Sequence, residues 1–339
     1  MSLTICTVVY NEERNLSTIE HNIRLLRETA PSVRFLLIDN ASTDQSPLAL
    51  RVLSAKYGIR HIQRAQNHLP QARQQALQLS LTKWVGFIDA DCRIDEDWVS
   101  NMGQRILEVA GPVAAFGGPW QITGERSALY QGLFSSFLGH FGNCYLRNQF
   151  QKSYVDHLPT ANVFYSLEHV LLVGGFSSPH PHVGEDLDLS YRLRRHGLKI
   201  EFNPKLKIQH QLPTSLRAWC AKMFLYGTAR GEVLLRYKKI NSYKSMVPLL
   251  FLPIFLLAGY FSTHLFLGVL AFYLLSCFFC SLNWRKLRLC LQIFLWMLAT
   301  HTFYGFGIYY GCKISLQASL KKRLAQWRHR GPAWEEKST

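Results

Sequence analysis

The segment that most constrains the fold is residues 84–92, where an apolar run stops abruptly at two carboxylates. Trp84–Ile88 is typical of a strand buried in a parallel sheet. Asp89 and Asp91 follow it directly. Ligands of open α/β sheets bind beyond the carboxyl ends of the strands, and carboxylate oxygens suit Mg²⁺ and Mn²⁺. The pair therefore predicts a divalent-cation site at a strand end, and the alternative is an acidic loop that caps the next helix.

Segments of strand character alternate with segments of helical character through the first ninety residues, which predicts an α/β fold with a largely parallel sheet. The predicted strands are residues 2–10, 33–38, 59–63 and 84–88. Polar residues recur where these strands end, and they are Tyr10 and Glu12, Asp39, Asn67, and Asp89 with Asp91. The carboxyl ends of parallel strands share one edge of a sheet. We therefore expect these side chains to converge on one site.

The last third of the chain has a different composition from the rest. Residues 246–282 contain no Asp, Glu, Lys or Arg, and this length exceeds one span of about 20 residues. The segment predicts a hairpin of two membrane helices with a break at 262–264. Residues 289–312 are long enough to span once. The positive-inside bias favours instead an interfacial or re-entrant segment, with a third span as the alternative, because a single span would place the basic tail at 313–339 outside.

The formal net charge of +16 invites a nucleic-acid interpretation, but the basic residues concentrate beside the apolar segments, at 284–288, 321–323 and 328–330. This distribution is typical of cytoplasmic flanks held against anionic lipid. No nucleic-acid-binding motif accompanies the charge, so we predict no nucleic-acid partner. The eight cysteines lack framework spacing, and no basic segment precedes the first apolar run. We therefore expect no signal peptide and a cytosolic first domain.

Three segments in fixed order resemble successive motifs of the family 2 glycosyltransferases: residues 7–13, residues 38–44 and residues 89–91. The resemblance extends over most of the first 230 residues. It implies the GT-A nucleotide-diphospho-sugar transferase fold, a mostly parallel sheet flanked by helices, here followed by carboxyl-terminal membrane helices. It also implies a nucleotide-sugar donor, in the first place a UDP-sugar, and Mn²⁺ or Mg²⁺ as cofactor.

The resemblance assigns donor-side roles to five strand-end or nearby residues, which are Tyr10, Glu12, Asp39, Arg73 and Asp89. Asp39 and Glu12 would contact the base and ribose, and Arg73 matches a basic residue near the donor. Asp89 and Asp91 would flank the diphosphate, with Asp91 the direct metal ligand. His210, which follows a strand predicted at 205–209, would reach the metal or the diphosphate, and the alternative is an ordinary surface histidine.

The segment from Gly184 to Gly197 predicts a helix with acids in its first turn and bases in its last, as the helix dipole favours. The resemblance implies that Asp186 is the catalytic base. It places Glu185 on the acceptor side, together with the turn at Gly175 and Phe176. Residues 214–245 mix aromatic and leucine side chains with basic ones, which is typical of an amphipathic helix in the membrane interface.

The predicted organisation is a cytosolic catalytic domain at 1–213, the interfacial region at 214–245, membrane helices at 246–312 and a basic cytosolic tail at 313–339. Residues 226–231 and 301–307 resemble exopolysaccharide-type members of the family. We therefore predict an inverting enzyme of the cell (inner) membrane, multi-pass, with its catalytic domain on the cytoplasmic face. It would move a sugar to a hydroxyl of a lipid-linked glycan in exopolysaccharide or cell-envelope glycan assembly. The alternatives are transfer to polyprenyl phosphate and a catalytically silent nucleotide-binding scaffold.

Overall fold

The four predicted amino-terminal strands form one half of a central sheet. The computed structural model describes residues 2–124, 126–135, 153–178, 180–238, 246–282 and 287–330. The strands are β1 (Leu3–Val9), β2 (Arg34–Asp39), β3 (Arg60–Gln63) and β4 (Trp84–Ile88). They pair in parallel in the order β3-β2-β1-β4. This confirms the predicted crossover units, and it brings the ends of β1, β2 and β4 to one edge of the sheet.

Three helices connect these strands, and a fourth follows β4. They are α1 (Leu16–Thr29), α2 (Ser46–Tyr57), α3 (Leu69–Leu79) and α4 (Glu96–Glu108). A 3₁₀ turn, Glu13–Asn15, precedes α1. The ends follow local chemistry: α2 stops at Gly58, whose φ of 59° is left-handed, and the side chain of Asp95 accepts a hydrogen bond from the backbone N–H of Trp98 at the start of α4.

The other half of the central sheet is mixed. Its strands are β6 (Val113–Gly117), β8 (Ser153–Tyr154), β9 (Asn162–Ser166) and β10 (Lys199–Phe202), and the full order is β3-β2-β1-β4-β9-β6-β10-β8. β9 lies antiparallel between β4 and β6. The expectation of a mostly parallel sheet holds for six of the eight strands, since β6 and β10 pair in parallel, whereas β9 and β8 run in the opposite direction.

A second sheet of three strands lies at the carboxyl edge of the first. It consists of β5 (Cys92–Arg93), β7 (Trp120–Thr123) and β11 (Ile208–Gln211), in the order β5-β11-β7. β11 runs antiparallel to β5, with His210 opposite Cys92. The strand predicted at 205–209 is thus shifted, and His210 lies inside it rather than after it. This pairing brings Asp91 next to His210, which lies 119 positions later in the sequence.

Side chains from the two faces of the central sheet enter two separate apolar clusters. In β4, Trp84 and Ile88 face one cluster, and Val85 and Phe87 face the other. Helices α5 (Ser127–Ser135), α6 (Leu167–Leu172) and α7 (Glu185–Arg195) complete this part of the chain. Residues 126–140 have a helical pattern in the sequence. Helix α5 covers this segment as far as residue 135, and the remainder lies outside the described residues.

Four helices form the carboxyl-terminal third: α8 (Leu216–Tyr237), α9 (Met246–Phe261), α10 (Thr263–Ser281) and α11 (Leu287–Arg330). Ser262 separates α9 from α10 and caps α10, at the predicted break. Among the described helices, one stretch, Leu287–Lys321 of α11, is long and apolar enough to cross a membrane, and 248–261 and 263–279 are shorter apolar helices. α11 runs unbroken through 289–312, so it lacks the turn that a re-entrant segment needs.

Helix α8 packs against α11 through small residues on both helices. Gly227 and Gly231 of α8 face Gly307 and Gly311 of α11, and the backbones approach so closely that a Cβ at any of these four would overlap the opposite main chain. This spacing of small residues, four apart on each helix, is the usual means by which helices meet at short range. The helix predicted to lie in the membrane interface therefore has a fixed partner in α11.

We expect Gly311→Ala to destabilise the protein by about 1–3 kcal/mol, because the added methyl would overlap the carbonyl oxygen of Thr228 in a packed contact. Thermal unfolding of the purified protein in detergent measures this. Gly268→Ala in α10 is the matched control, since nothing lies within 4 Å of the added methyl there. The control should be neutral or slightly stabilising, as alanine favours a helix over glycine. Equal effects of the two substitutions would contradict the α8–α11 contact.

Candidate active site

A cavity of about 230 Å³ lies where the carboxyl edge of the central sheet meets α7, α8 and α11. It is lined by ionisable and aromatic side chains from eight separate segments. These include Arg73, Asp89, His157, Glu185, Asp186, His210, Lys222, Tyr226, Arg230 and Tyr304. A larger groove of about 770 Å³ on the other side of Trp120 is lined by none of the predicted site residues. The smaller cavity is therefore the candidate active site.

At one end of the cavity, Asp91 and His210 are in contact. The Nε2 atom of His210 lies 3.1 Å from Oδ2 of Asp91. Burial alone would raise the pKa of Asp91, but His210 holds it at about 2. The thiol of Cys92 is close to both, and the three ligand atoms lie within 4.8 Å of one another. Burial raises the pKa of Cys92, so its thiol stays protonated, and the donor set that fits a divalent cation is the Asp91 carboxylate with the His210 imidazole.

Asp89 points away from this pair, toward Arg73. Its Oδ1 atom lies 3.1 Å from Nη2 of Arg73, and Nη1 of the same guanidinium is paired with Glu185. Burial raises the pKa of Asp89, and the positive charge of Arg73 lowers it. The negative charge of Asp91 raises it further. Of the three predicted metal ligands, the structure therefore brings Asp91 and His210 together, and it places Asp89 in an ion pair.

At the other end of the cavity, Asp186 lies in the first turn of α7. Its Oδ1 atom accepts a hydrogen bond of 2.6 Å from the backbone N–H of Leu187, and its Oδ2 atom lies 3.3 Å from Nε2 of His157. Burial would raise the pKa of Asp186, but His157, and to a lesser degree Arg73, hold it at about 2. Asp186 is thus a carboxylate at neutral pH, and it lines the cavity.

The two neighbouring acids, Glu185 and Asp188, are paired with basic residues. Glu185, predicted on the acceptor side, is buried and paired with Arg73, so its carboxylate orients that guanidinium rather than an acceptor. Asp188 lies in a closed network: Arg192 and Arg236 donate to it at 2.8 and 2.7 Å, and the hydroxyl of Tyr237 at 2.6 Å. Among the acids in the first turn of α7, Asp186 is therefore the one placed to meet a substrate.

The turn predicted on the acceptor side is held rigidly below the site. Gly175 has a φ of 70°, and its carbonyl accepts a hydrogen bond of 2.6 Å from Arg192. The ring of Phe176 is buried, 5.3 Å from Phe87 and 5.7 Å from Tyr165. It therefore belongs to the core, and neither Gly175 nor Phe176 lines the cavity.

The residues predicted to contact the nucleotide lie at the ends of β1 and β2. Asp39 is fully buried; its Oδ1 atom accepts a hydrogen bond of 3.1 Å from the N–H of Ser42, whereas its Oδ2 atom has no partner among the described residues. An unpaired buried acceptor is costly, and an N–H of a base would satisfy it. Burial raises the pKa of Glu12 to about 7, and the charges of the two strand-end aspartates add to this. The side chain of Tyr10 is open to solvent, with 43% of the residue exposed.

Several lining residues were not singled out from the sequence. Nothing in the sequence indicated a role for His157 or Lys222, because each reaches the site through the packing of a distant segment. Tyr226, Arg230 and Tyr304 lie in segments that resembled exopolysaccharide-type members, yet no role was predicted for their side chains.

Comparison with known proteins finds a family match over part of the chain and a shared fold. Residues 4–165 match the family described as glycosyl transferase family 2. Two curated relatives, each described as pre-mycofactocin glycosyltransferase, come from Mycobacterium tuberculosis strains CDC 1551 / Oshkosh and ATCC 25618 / H37Rv. Each is 29% identical over 171 residues, which covers 49% of this chain and 35% of the relative. The chain thus spans about a third of the length of the curated relatives it matches.

A solved structure resembles most of this chain. It is a mannosyltransferase from Pyrobaculum calidifontis in complex with GDP-Man and Mn²⁺, with a TM-score of 0.61, 14% identity, and coverage of 88% of this chain and 85% of that chain. At that identity the likeness concerns the fold. The solved structure thus shares the fold of this chain, and the family match covers residues 4–165 of it.

Proposed function

We propose that this chain is an inverting, metal-dependent glycosyltransferase that works at the cytoplasmic face of a membrane. It moves one sugar from a nucleotide diphosphate donor, in the first place a UDP-sugar, to a hydroxyl of a lipid-linked glycan. The observation that carries this proposal is the cavity itself. His210, which lines it, forms a metal-type pair with Asp91, and an ionised carboxylate, Asp186, lines the same cavity.

In the proposed reaction the acceptor oxygen attacks the anomeric carbon on the face opposite the diphosphate. The new carbon–oxygen bond forms while the bond to the diphosphate breaks, and the hydroxyl proton passes to Asp186 as general base. Arg73 holds the strand-end carboxylate Asp89 and the helix-end carboxylate Glu185 in fixed positions between the two ends. A divalent cation at Asp91 and His210 would supply positive charge to the departing diphosphate.

Two features of the relatives support the donor side of this proposal. The curated relatives are described as glycosyltransferases, and the structure with the same fold is described with a nucleotide-sugar and Mn²⁺. The unpaired Oδ2 atom of Asp39 suits the imide N–H of uracil, and it equally suits an N–H of guanine.

The acceptor side is supported by the position of the apolar carboxyl-terminal helices. Tyr304 of α11 lines the same cavity as Asp186. An acceptor anchored by a hydrophobic chain beside α9 to α11 would thus bring its polar head group to the catalytic carboxylate without leaving the membrane surface.

A panel of nucleotide sugars, assayed with native membrane lipid extract, tests the proposal. We expect turnover with one donor, and dependence of that turnover on both the lipid extract and a divalent cation. Donor turnover also excludes the silent scaffold. Transfer that proceeds equally well to a water-soluble sugar without lipid would contradict the lipid-linked acceptor.

A second candidate function is transfer to polyprenyl phosphate itself. The observation that favours it is a cationic side chain, Arg230, that lines the cavity on the α8 side together with Asp186. An acceptor that is already an anion needs no general base, so this candidate predicts that Asp186→Asn keeps most of its activity with polyprenyl phosphate as the acceptor.

The packing of α11 leads to a prediction about topology. Its segment around Gly307 and Gly311 lies against α8, beside the catalytic cavity, which places this part of α11 at the level of the catalytic domain. We therefore expect the tail after 313 on the same side as that domain, with the α9–α10 hairpin in the membrane. In a background without native cysteines, Ser319→Cys and a catalytic-domain control, Ser100→Cys, should react equally with an impermeant maleimide in inside-out vesicles. Labelling of Ser319→Cys from the outside of intact cells would instead make α11 a third span.

A further inference from the structure

One face of α8 carries three polar side chains spaced four residues apart, Lys222, Tyr226 and Arg230, and all three line the candidate cavity. Residues four apart lie one above the other on a helix. The rotation of α8 is fixed on its adjacent face, where Gly227 and Gly231 meet α11. The packing of α8 on α11 therefore directs these three side chains into the cavity, and their own charge does not.

The ordinary alternative is that Lys222 reaches lipid head groups, as basic side chains of interfacial helices do. Arg217, on the exposed part of the same helix, suits that description. Lys222 differs from it, since it is half-buried and lines the cavity that holds Asp89. Burial would lower the pKa of Lys222, but Tyr226 and then the charges of Asp91 and Asp89 raise it.

The two strand-end carboxylates have other partners at contact distance: Asp89 is paired with Arg73, and Asp91 with His210. The Lys222 ammonium thus acts on these acids across the space of the cavity. A group that joins an ammonium on one side to a carboxylate-held cation on the other is an oxyanion with several free oxygens. The diphosphate of a nucleotide sugar has this chemistry.

We propose that Lys222 is a binding residue for the donor diphosphate, its Nζ atom contacting a non-bridging phosphate oxygen from the α8 side, opposite Asp91 and His210. This inference rests on the proposed function. A positive charge placed in advance where negative charge develops on the leaving group favours the transition state. Helix α8 would in this way couple the membrane-proximal part of the chain to the departure of the nucleotide.

The experiment measures binding by isothermal titration calorimetry, with UDP, GDP, UMP, GMP and Mn²⁺ as separate probes on the full chain. For Lys222→Gln we expect the affinity of the nucleoside diphosphate bound by the wild type to fall about 10- to 100-fold, the range expected for one charge-assisted hydrogen bond. The loss should persist in EDTA, because the contact is direct. The affinity for Mn²⁺ alone should be unchanged or tighter, because a cation near the metal ligands has been removed.

Arg217→Gln is the matched control, since it removes one positive charge from the exposed part of the same helix, and it should leave all affinities within about twofold. Lys222→Arg keeps the charge and should bind the diphosphate within about tenfold of the wild type, which guards against a Lys222→Gln protein that folds poorly. A thermal unfolding midpoint for each variant accompanies the titrations.

The outcomes separate this inference from the function on which it rests. If the wild type binds no nucleoside diphosphate, both are overturned. If the wild type binds one and Lys222→Gln binds it equally well, the role of Lys222 is overturned and the proposed function stands. If Lys222→Gln instead raises only the KM for a phosphate-bearing lipid acceptor, the residue serves the acceptor phosphate and the assignment to the donor is wrong.

Discussion

Asp91→Asn is expected to reduce sugar transfer about 10²- to 10⁴-fold, the range that corresponds to several kcal/mol of charge stabilisation by a metal ion. The substitution keeps the shape of the side chain and removes the negative charge. The Asp91 carboxylate has a pKa of about 2 and lies 3.1 Å from His210, so it is ionised and placed to share a cation with that imidazole. Initial rates over a range of Mn²⁺ and Mg²⁺ concentrations measure the effect, and the concentration of metal required should rise.

Asp97→Asn is the control for Asp91→Asn, because Asp97 is an exposed acid at the start of α4, and transfer by this variant should match the wild type. A wild-type enzyme that retains full activity in excess EDTA would remove the metal from the proposal, whatever the variants show. Loss of activity in Asp91→Asn with unchanged metal dependence would assign the residue to the diphosphate or to the fold instead.

The part of the site that the sequence predicted is the part built from strand ends. Asp39, Asp89 and Asp91 each follow a strand whose apolar run and sharp end are visible locally. Parallel pairing brings such ends together whatever else the chain does. A role for His210 was implied by the family resemblance, and the structure places it beside Asp91 because β11 pairs with β5.

What could not be predicted depends on contacts between distant segments. Glu185 was expected to face an acceptor, yet it is buried against Arg73, a partner in α3 that lies 112 positions earlier in the sequence. The pairing of His157 with Asp186 and the direction of Lys222 are of the same kind. Likewise, nothing in residues 162–166 indicates that β9 enters the sheet antiparallel between β4 and β6.

The carboxyl-terminal third shows which structural features can be predicted from composition alone. The absence of charge at 246–282 predicted two helices with a break near 262, and α9 and α10 meet there. Composition did not indicate that α8 and α11 would pack through four glycines. That contact brings Tyr304 of α11 into the cavity, so this helix contributes a side chain to the candidate site.

The second large effect is expected for Asp186→Asn, which should fold, bind donor and metal nearly normally, and lose transfer by about 10²- to 10⁴-fold, the usual contribution of a general base. An acceptor hydroxyl is a poor nucleophile at neutral pH, so it needs a carboxylate within hydrogen-bond reach. Asp186 remains ionised, with a pKa of about 2 set chiefly by His157 against burial. Single-turnover rates with saturating donor measure the effect.

Two neighbouring substitutions serve as controls, and the structure predicts different results for them. Glu185→Gln removes the charge that holds Arg73, so donor binding should weaken. Asp188→Asn leaves Arg192 and Arg236 without their carboxylate, so the variant should lose about 3–5 kcal/mol of stability, as broken buried ion pairs do. If Asp186→Asn keeps a near-normal turnover number while Asp188→Asn is folded but inactive, the base is Asp188 and the assignment to Asp186 is wrong. If Asp186→Asn is active only with polyprenyl phosphate, the acceptor is an anion and transfer needs no base, which is the result that separates the two proposed functions.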